Sequence, residues 1–342
     1  MKYKIGLDVS GGDFAPQEII KGASLARKEA GADIVLFGVK EEIDREILKY
    51  PNLKGIACID SPEKIEMGES PASSVRRKRQ SSIVLAAEAL KEGAIDAFVS
   101  CGNTGAAVCA ASLSLGYIEG LERPGIALMI PTQNGVSMLI DGGANIGPKP
   151  LHLLQYGVMA SVYYRLVYNK DNPTIGLLNI GEEASKGSEF VKSVHKLFSV
   201  SSMNFIGNLE GRDLFSGKCD CIVCDGFIGN VALKVSEGCA EAIFTFLRNL
   251  IKKDPLAALG AFLMQRSFRK MKNRLDYAEY GGAPLLGVNG IVIIGHGRSN
   301  ARAVKNAIKV AEKELERDLN GEIKKRIHEV CQDSRVREEL TA

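Results

Sequence analysis

The segment that most constrains the fold is residues 219–234, with the sequence CDCIVCDGFIGNVALK. Its apolar part, residues 221–224, is long enough for a buried strand, and the Asp-Gly turn that begins at Asp225 leads into apolar residues with helical spacing. This pattern predicts a strand, a tight loop and a helix. A helix start carries unpaired backbone N–H groups and a partial positive charge, so it can bind an anion. Gly229 would let a ligand approach the backbone and Asn230 would add a donor, although an ordinary strand-to-helix turn explains the same residues.

Similar loops follow other predicted strands along the chain. Loops rich in Gly, Asn, Asp and Ser come after apolar runs that end near Asp8, Ser100, Ile140, Asn179 and Ile294. In a doubly wound sheet the loops at the carboxyl ends of the strands share one edge and can form one crevice. We therefore expect an α/β fold, with residues 1–342 forming a single catalytic domain whose site lies where these loops meet.

The loops offer amides, hydroxyls, glycines and carboxylates, which suit a phosphate beside a polarised carbonyl. The candidate binding residues are Asp8, Gly11, Gly12, Asp13, Asn103, Thr104, Gly105, Asp141, Asn145, Lys149, Asp225, Gly229, His296, Ser299 and Asn300. Asn103 and Thr104 are also good helix caps, and a lone histidine more often orients its neighbours than acts as a base. Neither the G-x-S-x-G turn of α/β-hydrolases nor a P-loop occurs, so these two classes are not favoured.

Lys186 stands out among the loop residues. The strand predicted at residues 174–179 is followed by IGEEASKG, and Lys186 stands where we expect the next helix to begin. A cation at a helix N-terminus is unfavourable because the helix dipole is already positive there. The position makes sense if an anion binds between them, and a solvent-exposed lysine is the alternative.

The densest basic run is Arg76, Arg77, Lys78 and Arg79, which we expect to open a helix that continues to Lys91. Such a run usually forms a solvated helix face. It could also dock a phosphate or an acidic protein. Because the run is short and local, it suits a discrete partner better than a nucleic-acid backbone.

Two long helices are predicted near the middle of the chain, at residues 231–252 and 256–275, separated by Asp254-Pro255. We expect them to project from the body as a helical hairpin within residues 231–275. Its apolar tip would contact a membrane surface, and a cationic stretch follows the tip. The candidate membrane-contact residues are Leu256, Leu259, Phe262 and Leu263. A bundle that forms a dimer is the alternative, and both can hold for different parts.

The composition limits the classes of partner and compartment. The net charge is +3, tryptophan is absent and aromatic residues make up 6% of the chain, so nucleic-acid binding is not expected. Cys219, Cys221 and Cys224 have a metal-like spacing, but no second Cys or His pair completes a structural zinc site, so we expect core cysteines and no metal. No apolar run is long enough to span a membrane, and no signal-peptide core is visible, which favours a reduced, cytoplasmic setting.

Taken in order, these loops resemble the phosphate acyltransferases of bacterial phospholipid synthesis, the acyl-[acyl-carrier-protein]:phosphate acyltransferase family. The resemblance covers roughly residues 5–330. The matching motifs are DVSGGD at 8–13, SCGNTG at 100–105, DGGAN at 141–145 with Lys149, NIG at 179–181 with Lys186, CDG at 224–226 with Gly229 and Asn230, DYAEYGGA at 276–283, and HG at 296–297 with Ser299 and Asn300.

The resemblance implies an αβα sandwich similar to that of phosphotransacetylases and isocitrate/isopropylmalate dehydrogenases, and a homodimer. It implies that the enzyme converts long-chain acyl-carrier protein and inorganic phosphate to acyl phosphate and free carrier protein, with no cofactor. Lys186 and Asn230 would be the catalytic residues. The acidic carrier would dock at Arg76 to Arg79, or at the arginines that follow the hairpin tip. The protein would be cytoplasmic and peripherally associated with the inner face of the cell membrane, where a glycerol-3-phosphate acyltransferase uses the acyl phosphate.

Three other functions are alternatives to this activity. A short-chain acyl-CoA phosphate acyltransferase, similar to phosphotransacetylase, would use the same chemistry on another carrier. A decarboxylating dehydrogenase would need clustered metal-binding aspartates, whereas Asp8, Asp13, Asp141 and Asp225 are isolated among glycines. A non-catalytic membrane scaffold would leave the polar loops unexplained.

Overall fold

The computed structural model describes residues 3–29, 32–275 and 279–341. The strands are β1 (Lys4–Asp8), β2 (Asp33–Gly38), β3 (Ala57–Asp60), β4 (Ala97–Ser100), β5 (Gly125–Thr132), β6 (Gly135–Ile140), β7 (Ile175–Leu178), β8 (Phe205–Leu209), β9 (Cys221–Val223), β10 (Ala283–Leu286) and β11 (Ile291–Ile294). Over these residues they form one eleven-stranded sheet in the order β3-β2-β1-β4-β11-β10-β5-β6-β9-β7-β8.

The α-helices are α1 (Gln17–Glu29), α2 (Lys40–Ile47), α3 (Pro71–Arg77), α4 (Ser82–Lys91), α5 (Thr104–Leu115), α6 (Pro150–Tyr168), α7 (Glu189–Val200), α8 (Gly226–Lys253), α9 (Pro255–Leu263), α10 (Gln265–Leu275), α11 (Ala301–Glu316), α12 (Leu319–Gln332) and α13 (Ser334–Thr341). The protein is therefore a mixed α/β fold built on a large sheet. Among the helices described here, none is long and apolar enough to cross a membrane.

Helices pack on both faces of the sheet because alternate strand residues point to opposite sides. In β4, the Val99 side chain belongs to one apolar cluster, which also contains residues of α1, α6 and α11. The adjacent Phe98 belongs to the other cluster, with residues of α4 and α5. Most strands are buried on both sides, which is why they read as continuous apolar runs in the sequence.

The sheet consists of two halves that run in opposite directions. Strands β1, β2, β3, β4 and β11 are parallel to one another, and β6, β9, β7 and β8 are also parallel to one another. Between them, β10 is antiparallel to β11 and to β5, and β5 is antiparallel to β6. The expectation that all the loops share one edge of a doubly wound sheet therefore needs correction.

The strand register explains how the loops of both halves still meet. Ala283 at the start of β10 pairs with Ile294 at the end of β11, while Leu285 pairs with Ile126 near the start of β5. β5 therefore continues past the end of β11, and β6 returns along it until Ile140 pairs with Ala127. The carboxyl ends of the two halves thus lie near the same level and approach each other from opposite directions.

Two helix predictions are wrong in detail. The predicted helix from the basic run to Lys91 is two helices, because α3 ends at Arg77 and α4 begins at Ser82. The basic run therefore lies at the C-terminus of α3 and in the turn after it, where the negative end of the helix dipole favours cations. The segment predicted as one helix after Pro255 is also two, because Met264 separates α9 from α10.

Candidate functional site

A cavity of 540 Å³ lies where loops from both halves of the sheet meet. Its lining includes Asp13 after β1, Thr104 after β4, Gly142 after β6, and Gly295 to Ser299 after β11. The helix that follows β9 contributes one face, with Asn230, Leu233, Lys234 and Glu237. These helix positions are three or four residues apart, so their side chains share one side of α8.

The other side of the cavity is a strip of β5. Ile126, Leu128 and Ile130 line the cavity, and alternate positions on a strand face the same way. Because β5 continues past the end of β11, its last residues extend beyond the strands of the first half of the sheet. The cavity therefore combines a polar side made by loops and α8 with an apolar side made by the sheet.

His296 is held in a defined orientation in this cavity. Its Nδ1 accepts a hydrogen bond from the backbone N–H of Arg298 at 3.1 Å, so a neutral ring carries its proton on Nε2. The Nε2 atom lies 3.8 Å from a carboxylate oxygen of Glu237. Burial lowers the pKa of His296, an effect that the Glu237 carboxylate opposes. Neutral His296 can therefore donate through Nε2.

The other loop residues after β11 fix its shape. Ser299 is buried and its N–H donates to the carbonyl of His296 at 2.9 Å. Asn300 is the N-cap of α11, where its side chain accepts from the N–H of Ala303. Both residues hold the turn that carries His296, and Ser299 also lines the cavity.

Asp141 organises the glycine-rich loop after β6. Its side chain is fully buried, and its two carboxylate oxygens accept hydrogen bonds from the N–H groups of Ile126, Gly143, Ala144 and Asn145. Burial raises the pKa of Asp141, and these hydrogen bonds oppose that rise. The side-chain amide of Asn145 donates to Asp141 and to the carbonyl of Pro124. These groups are engaged in holding the loop.

Asp8 has a comparable role in the other half of the sheet. It is fully buried and accepts hydrogen bonds from the hydroxyls of Ser82 and Ser100 at 2.6 and 2.7 Å and from the N–H of Ser10. Burial raises the pKa of Asp8, and the same hydrogen bonds oppose the rise. Asp8 thus joins the end of β1 to the end of β4 and to the start of α4. Gly11 is required beside it, since a Cβ there would lie 2.3 Å from the Asp8 carboxylate.

The loops that precede α5 and α8 hold their helices by capping. Asn103 is buried, and its side chain accepts from the N–H of Ala106 while donating to three backbone carbonyls at residues 66, 67 and 69. Gly105 follows it, where a Cβ would lie 2.5 Å from Pro71. Asp225 caps α8 by accepting from the N–H groups of Phe227 and Ile228.

The close approach at Gly229 that the structure shows is one between two parts of the backbone. A Cβ at Gly229 would lie 1.9 Å from the carbonyl oxygen of Asp141, so the glycine lets α8 pack against the loop after β6. A Cβ at Gly143 would in turn meet the Asn230 side chain at 3.3 Å. These contacts fix Asn230 next to the Asp141 loop.

Gly12 and Asp13 lie at the opposite rim. Gly12 has a positive φ of 104°, which favours glycine. The N–H of Asp13 donates to the carbonyl of Gly297 at 2.8 Å, so the loop after β1 is joined to the loop that carries His296. Asp13 is exposed and lines the cavity.

Lys186 and Lys149 lie outside the lining of this cavity. Lys186 is exposed, and α7 begins only at Glu189 with Ser188 as its cap, so the lysine does not occupy the helix start as predicted. Its loop follows β7, which pairs in parallel with β9, so the loop lies at the same edge as the start of α8. Lys149 is the N-cap residue of α6, with its ammonium 3.9 Å from Glu122.

Three charged residues of the cavity lining were missed by the sequence reasoning, namely Lys234, Glu237 and Arg298. Lys234 and Glu237 stand four and seven residues after Asn230, so the helical period could have identified both. They form an ion pair of 2.9 Å on the surface of α8. Arg298 follows His296 by two residues, but only the turn of the loop brings it to the cavity.

The three cysteines with metal-like spacing lie in the interior of the protein. Cys219, Cys221 and Cys224 are buried, and burial raises the pKa of Cys219 to about 12.

In the basic run, Lys78 pairs with Glu69 and lowers the pKa of that carboxyl to about 2. A groove beside the basic run is lined by Arg76, Arg79, Glu88, Lys91, Leu113 and Ser114.

The tip residues of α9 are all exposed. The accessible fractions are 79% for Leu256, 57% for Leu259, 70% for Phe262 and 75% for Leu263. None of the residues of α9 is buried, although the helix is strongly apolar. An apolar surface of this kind is typical of an interaction site.

Comparisons with known proteins agree with this architecture. A phosphotransacetylase from Streptococcus pyogenes has a similar fold, with a TM-score of 0.61 at 15% identity, covering 92% of this chain and 94% of that one. The phosphate acyltransferase of Pelotomaculum thermopropionicum is 48% identical over 328 residues, which is 96% of each chain. The phosphate acyltransferase of Desulforudis audaxviator is 47% identical over 321 residues, 94% of this chain and 95% of the relative.

The model of the fatty acid synthesis protein family matches residues 3–321. Together with the near full-length identity to two phosphate acyltransferases, this match shows that the chain belongs to the fatty acid synthesis protein family.

Proposed function

We propose that this protein transfers the acyl group of a long-chain acyl-carrier-protein thioester to inorganic phosphate and so supplies acyl phosphate for phospholipid synthesis. The observation that carries the proposal is the cavity at the meeting point of the two sheet halves, in a chain whose relatives are named phosphate acyltransferases. The polar side of the cavity bears Asn230, Lys234, His296 and Arg298. These groups suit an anion and a carbonyl oxygen that gains negative charge.

The reaction makes modest demands on the protein. A phosphate oxygen attacks the carbonyl carbon of the thioester, the new C–O bond forms, and the C–S bond breaks as the carbonyl is restored. The sulfur leaves as a thiolate, which takes up the proton that the attacking hydrogen phosphate loses. Because phosphate is itself the nucleophile, no covalent enzyme intermediate is needed, and catalysis can rest on positioning and on oxyanion stabilisation.

Each polar group has a role in this proposal. Asn230 and the Nε2–H of His296 donate to the oxyanion, and Lys234 and Arg298 hold the phosphate. Lys186 attracts phosphate from the neighbouring loop at the rim and neutralises it as it enters. Asp8 and Asp141 act indirectly, because their buried carboxylates hold the loops that position the donors.

The central test measures acyl-phosphate formation from palmitoyl-carrier protein and radiolabelled phosphate. We expect Asn230→Ala to lower the rate by roughly 10²- to 10³-fold, the usual cost of removing one donor to an oxyanion. Lys186→Ala should lower the rate by raising the KM for phosphate, because the charge that attracts phosphate at the rim is lost. Lys324→Ala is the matched control, since that exposed lysine pairs with Glu119 far from the loops. Wild-type rates in both test variants would remove the assignment, and a wild-type protein without product would refute the reaction.

A short-chain acyl-CoA phosphate acyltransferase is the second candidate function. The observation that favours it is the fold shared with a phosphotransacetylase. Competition between acetyl-CoA and palmitoyl-carrier protein at equal concentration separates the two. Preferential consumption of acetyl-CoA would favour the alternative.

The proposal extends to partners. The acidic carrier protein would dock at the basic run, and the apolar tip of α9 would contact the inner face of the membrane as the end of a helical hairpin formed by α8, α9 and α10. There a glycerol-3-phosphate acyltransferase would consume the acyl phosphate. A homodimer would cover the exposed apolar residues of α8.

A further inference from the structure

The cavity is much larger than phosphate chemistry alone needs. Water occupies about 30 Å³ in the liquid, so a phosphate group and the reacting carbonyl would fill only a small part of 540 Å³. The remaining space adjoins Ile126, Leu128, Ile130 and Leu233. Apolar walls of this kind recognise apolar ligand parts.

The apolar wall begins close to the donors. Leu233 follows Asn230 by three residues on the same face of α8, an axial rise of about 4.5 Å. Leu128 lies level with the end of β11, and Ile130 continues the wall along the part of β5 that extends past β11. A ligand whose carbonyl accepts from Asn230 would therefore place its first methylenes against Leu233.

A second apolar groove lies between α8 and α10 and is less well placed. It has a volume of 510 Å³ and includes Phe244, Leu247, Phe268 and Met271 in its lining. Phe244 stands fourteen residues after Asn230, or about 21 Å along the helix axis. The two cavities share no lining residue, so this groove is separate from the donors.

We propose that the fatty acyl chain binds along the wall formed by Ile126, Leu128 and Ile130 of β5 and Leu233 of α8, and that this wall sets the preferred chain length. The assignment rests on the proposed function, because the wall matters only if the group transferred is a fatty acyl group. It concerns where the acyl chain lies, which neither the family nor the proposed reaction specifies.

The first test is a series of acyl-carrier thioesters with chains of increasing length. Each methylene that the wall covers contributes about fourfold in kcat/KM. In Leu233→Phe the larger side chain occupies cavity space beside the wall. We expect this variant to lower kcat/KM more for long chains than for short ones, by about 15-fold for every two methylenes excluded. Ile206→Phe on the outer strand β8 is the matched control, since Ile206 is exposed and lies outside this cavity.

Equal effects of Leu233→Phe at all chain lengths would overturn the chain-length assignment. The thermal midpoint of each variant is measured to confirm that it folds. If the wild-type protein forms no acyl phosphate from any thioester, the proposed function fails instead, and the location of the chain is then decided by the second test.

The second test does not depend on turnover. The full-length protein is irradiated with a carrier thioester that bears a diazirine near the end of its acyl chain, and the labelled peptides are identified by mass spectrometry. We expect label on residues 126–130 or on Leu233. Label on Phe244, Phe268 or Met271 would place the chain in the groove between α8 and α10 and overturn the proposal.

Discussion

At the scale of single residues, His296 shows how a backbone contact sets side-chain chemistry. The N–H of Arg298 points at Nδ1, so protonation of that nitrogen would break a hydrogen bond. Burial also lowers the pKa of the ring, and the Lys234 and Arg298 cations act in the same direction, against Glu237 and Asp13. His296 therefore remains neutral at pH values where an exposed histidine is partly charged, which suits a donor better than a base.

A pH profile tests the role of His296. Because its pKa in the folded protein is below the ordinary value of about 6.5, the unfolded chain binds the proton more readily. Its contribution to stability is thus present above that ordinary value and is lost as the pH falls. Protonation of Nδ1 breaks the hydrogen bond from Arg298 that orients the ring, so we expect kcat of the wild-type protein to fall below pH about 6.5. His296→Gln should remove this inflection while keeping a donor.

The losses of kcat in two variants distinguish a hydrogen-bond donor from a residue with only a structural role. His296→Ala should lower kcat by about 100-fold, and His296→Gln should restore most of that loss. The ionisation of phosphate itself affects both proteins equally, so the difference between their profiles isolates the histidine. An identical acid limb in wild type and His296→Gln would contradict this role.

At the scale of elements, α3 and α9 carry surfaces that the cavity does not use. The end of α3 presents Arg76 and Arg79 in a groove with Lys91, while Lys78 is engaged by Glu69. The cations that can bind a partner are therefore Arg76, Arg79 and Lys91, which line the groove. In α9, one exposed apolar surface includes every candidate membrane residue.

Charge reversal tests the α3 surface as a carrier-protein site. We expect Arg76→Glu with Arg79→Glu to raise KM for the acyl-carrier thioester by about tenfold, since rim charges steer an acidic partner, and to leave KM for phosphate unchanged. Lys28→Glu, a reversal at the exposed end of α1, is the control. An unchanged carrier KM would exclude the α3 surface.

Flotation with anionic phosphatidylglycerol vesicles tests the α9 tip. Burying one Phe side chain contributes about 1.5–3 kcal/mol, so Phe262→Glu should weaken vesicle binding at least tenfold while activity with soluble substrates persists. Leu48→Glu, at an exposed leucine in the C-cap of α2, should bind as the wild type does. Wild-type flotation of Phe262→Glu would refute contact through this tip.

At the scale of the whole molecule, α8 links the cavity to a surface that the single chain leaves open. Its first turns line the cavity with Asn230, Lys234 and Glu237. Farther along, Ile243, Phe246 and Leu250 are exposed by 58%, 68% and 67%. Such a stripe at helical spacing fits a subunit interface, and a C2 dimer would cover it in both copies.

Light scattering tests this interface. We expect the wild-type protein to have twice the chain mass and Phe246→Glu to shift toward the mass of a single chain at micromolar concentration. The control Leu113→Glu introduces the same charge at an exposed leucine of α5 and should leave the mass unchanged. A wild-type protein that has the mass of one chain would contradict the dimer.

The sequence alone indicated most of the elements and the residue types at their ends. Local patterns were sufficient for the strands that end at Asp8, Ser100, Ile140 and Ile294 and for the glycine-rich loops after them, because apolar runs, turn residues and caps act over a few neighbours. They also identified Asn230 and His296, which both line the cavity. Such signals do not indicate which distant strands pair.

Only the tertiary structure decided that the two sheet halves run in opposite directions and meet through the register of β10 and β5. It turned Asp8 and Asp141 inward, left Lys186 outside the cavity lining, and brought Lys234, Glu237 and Arg298 to the site. The physical reason is that strand direction and register depend on hydrogen bonds and packing between segments far apart in the chain, whereas periodicity and capping depend on neighbours.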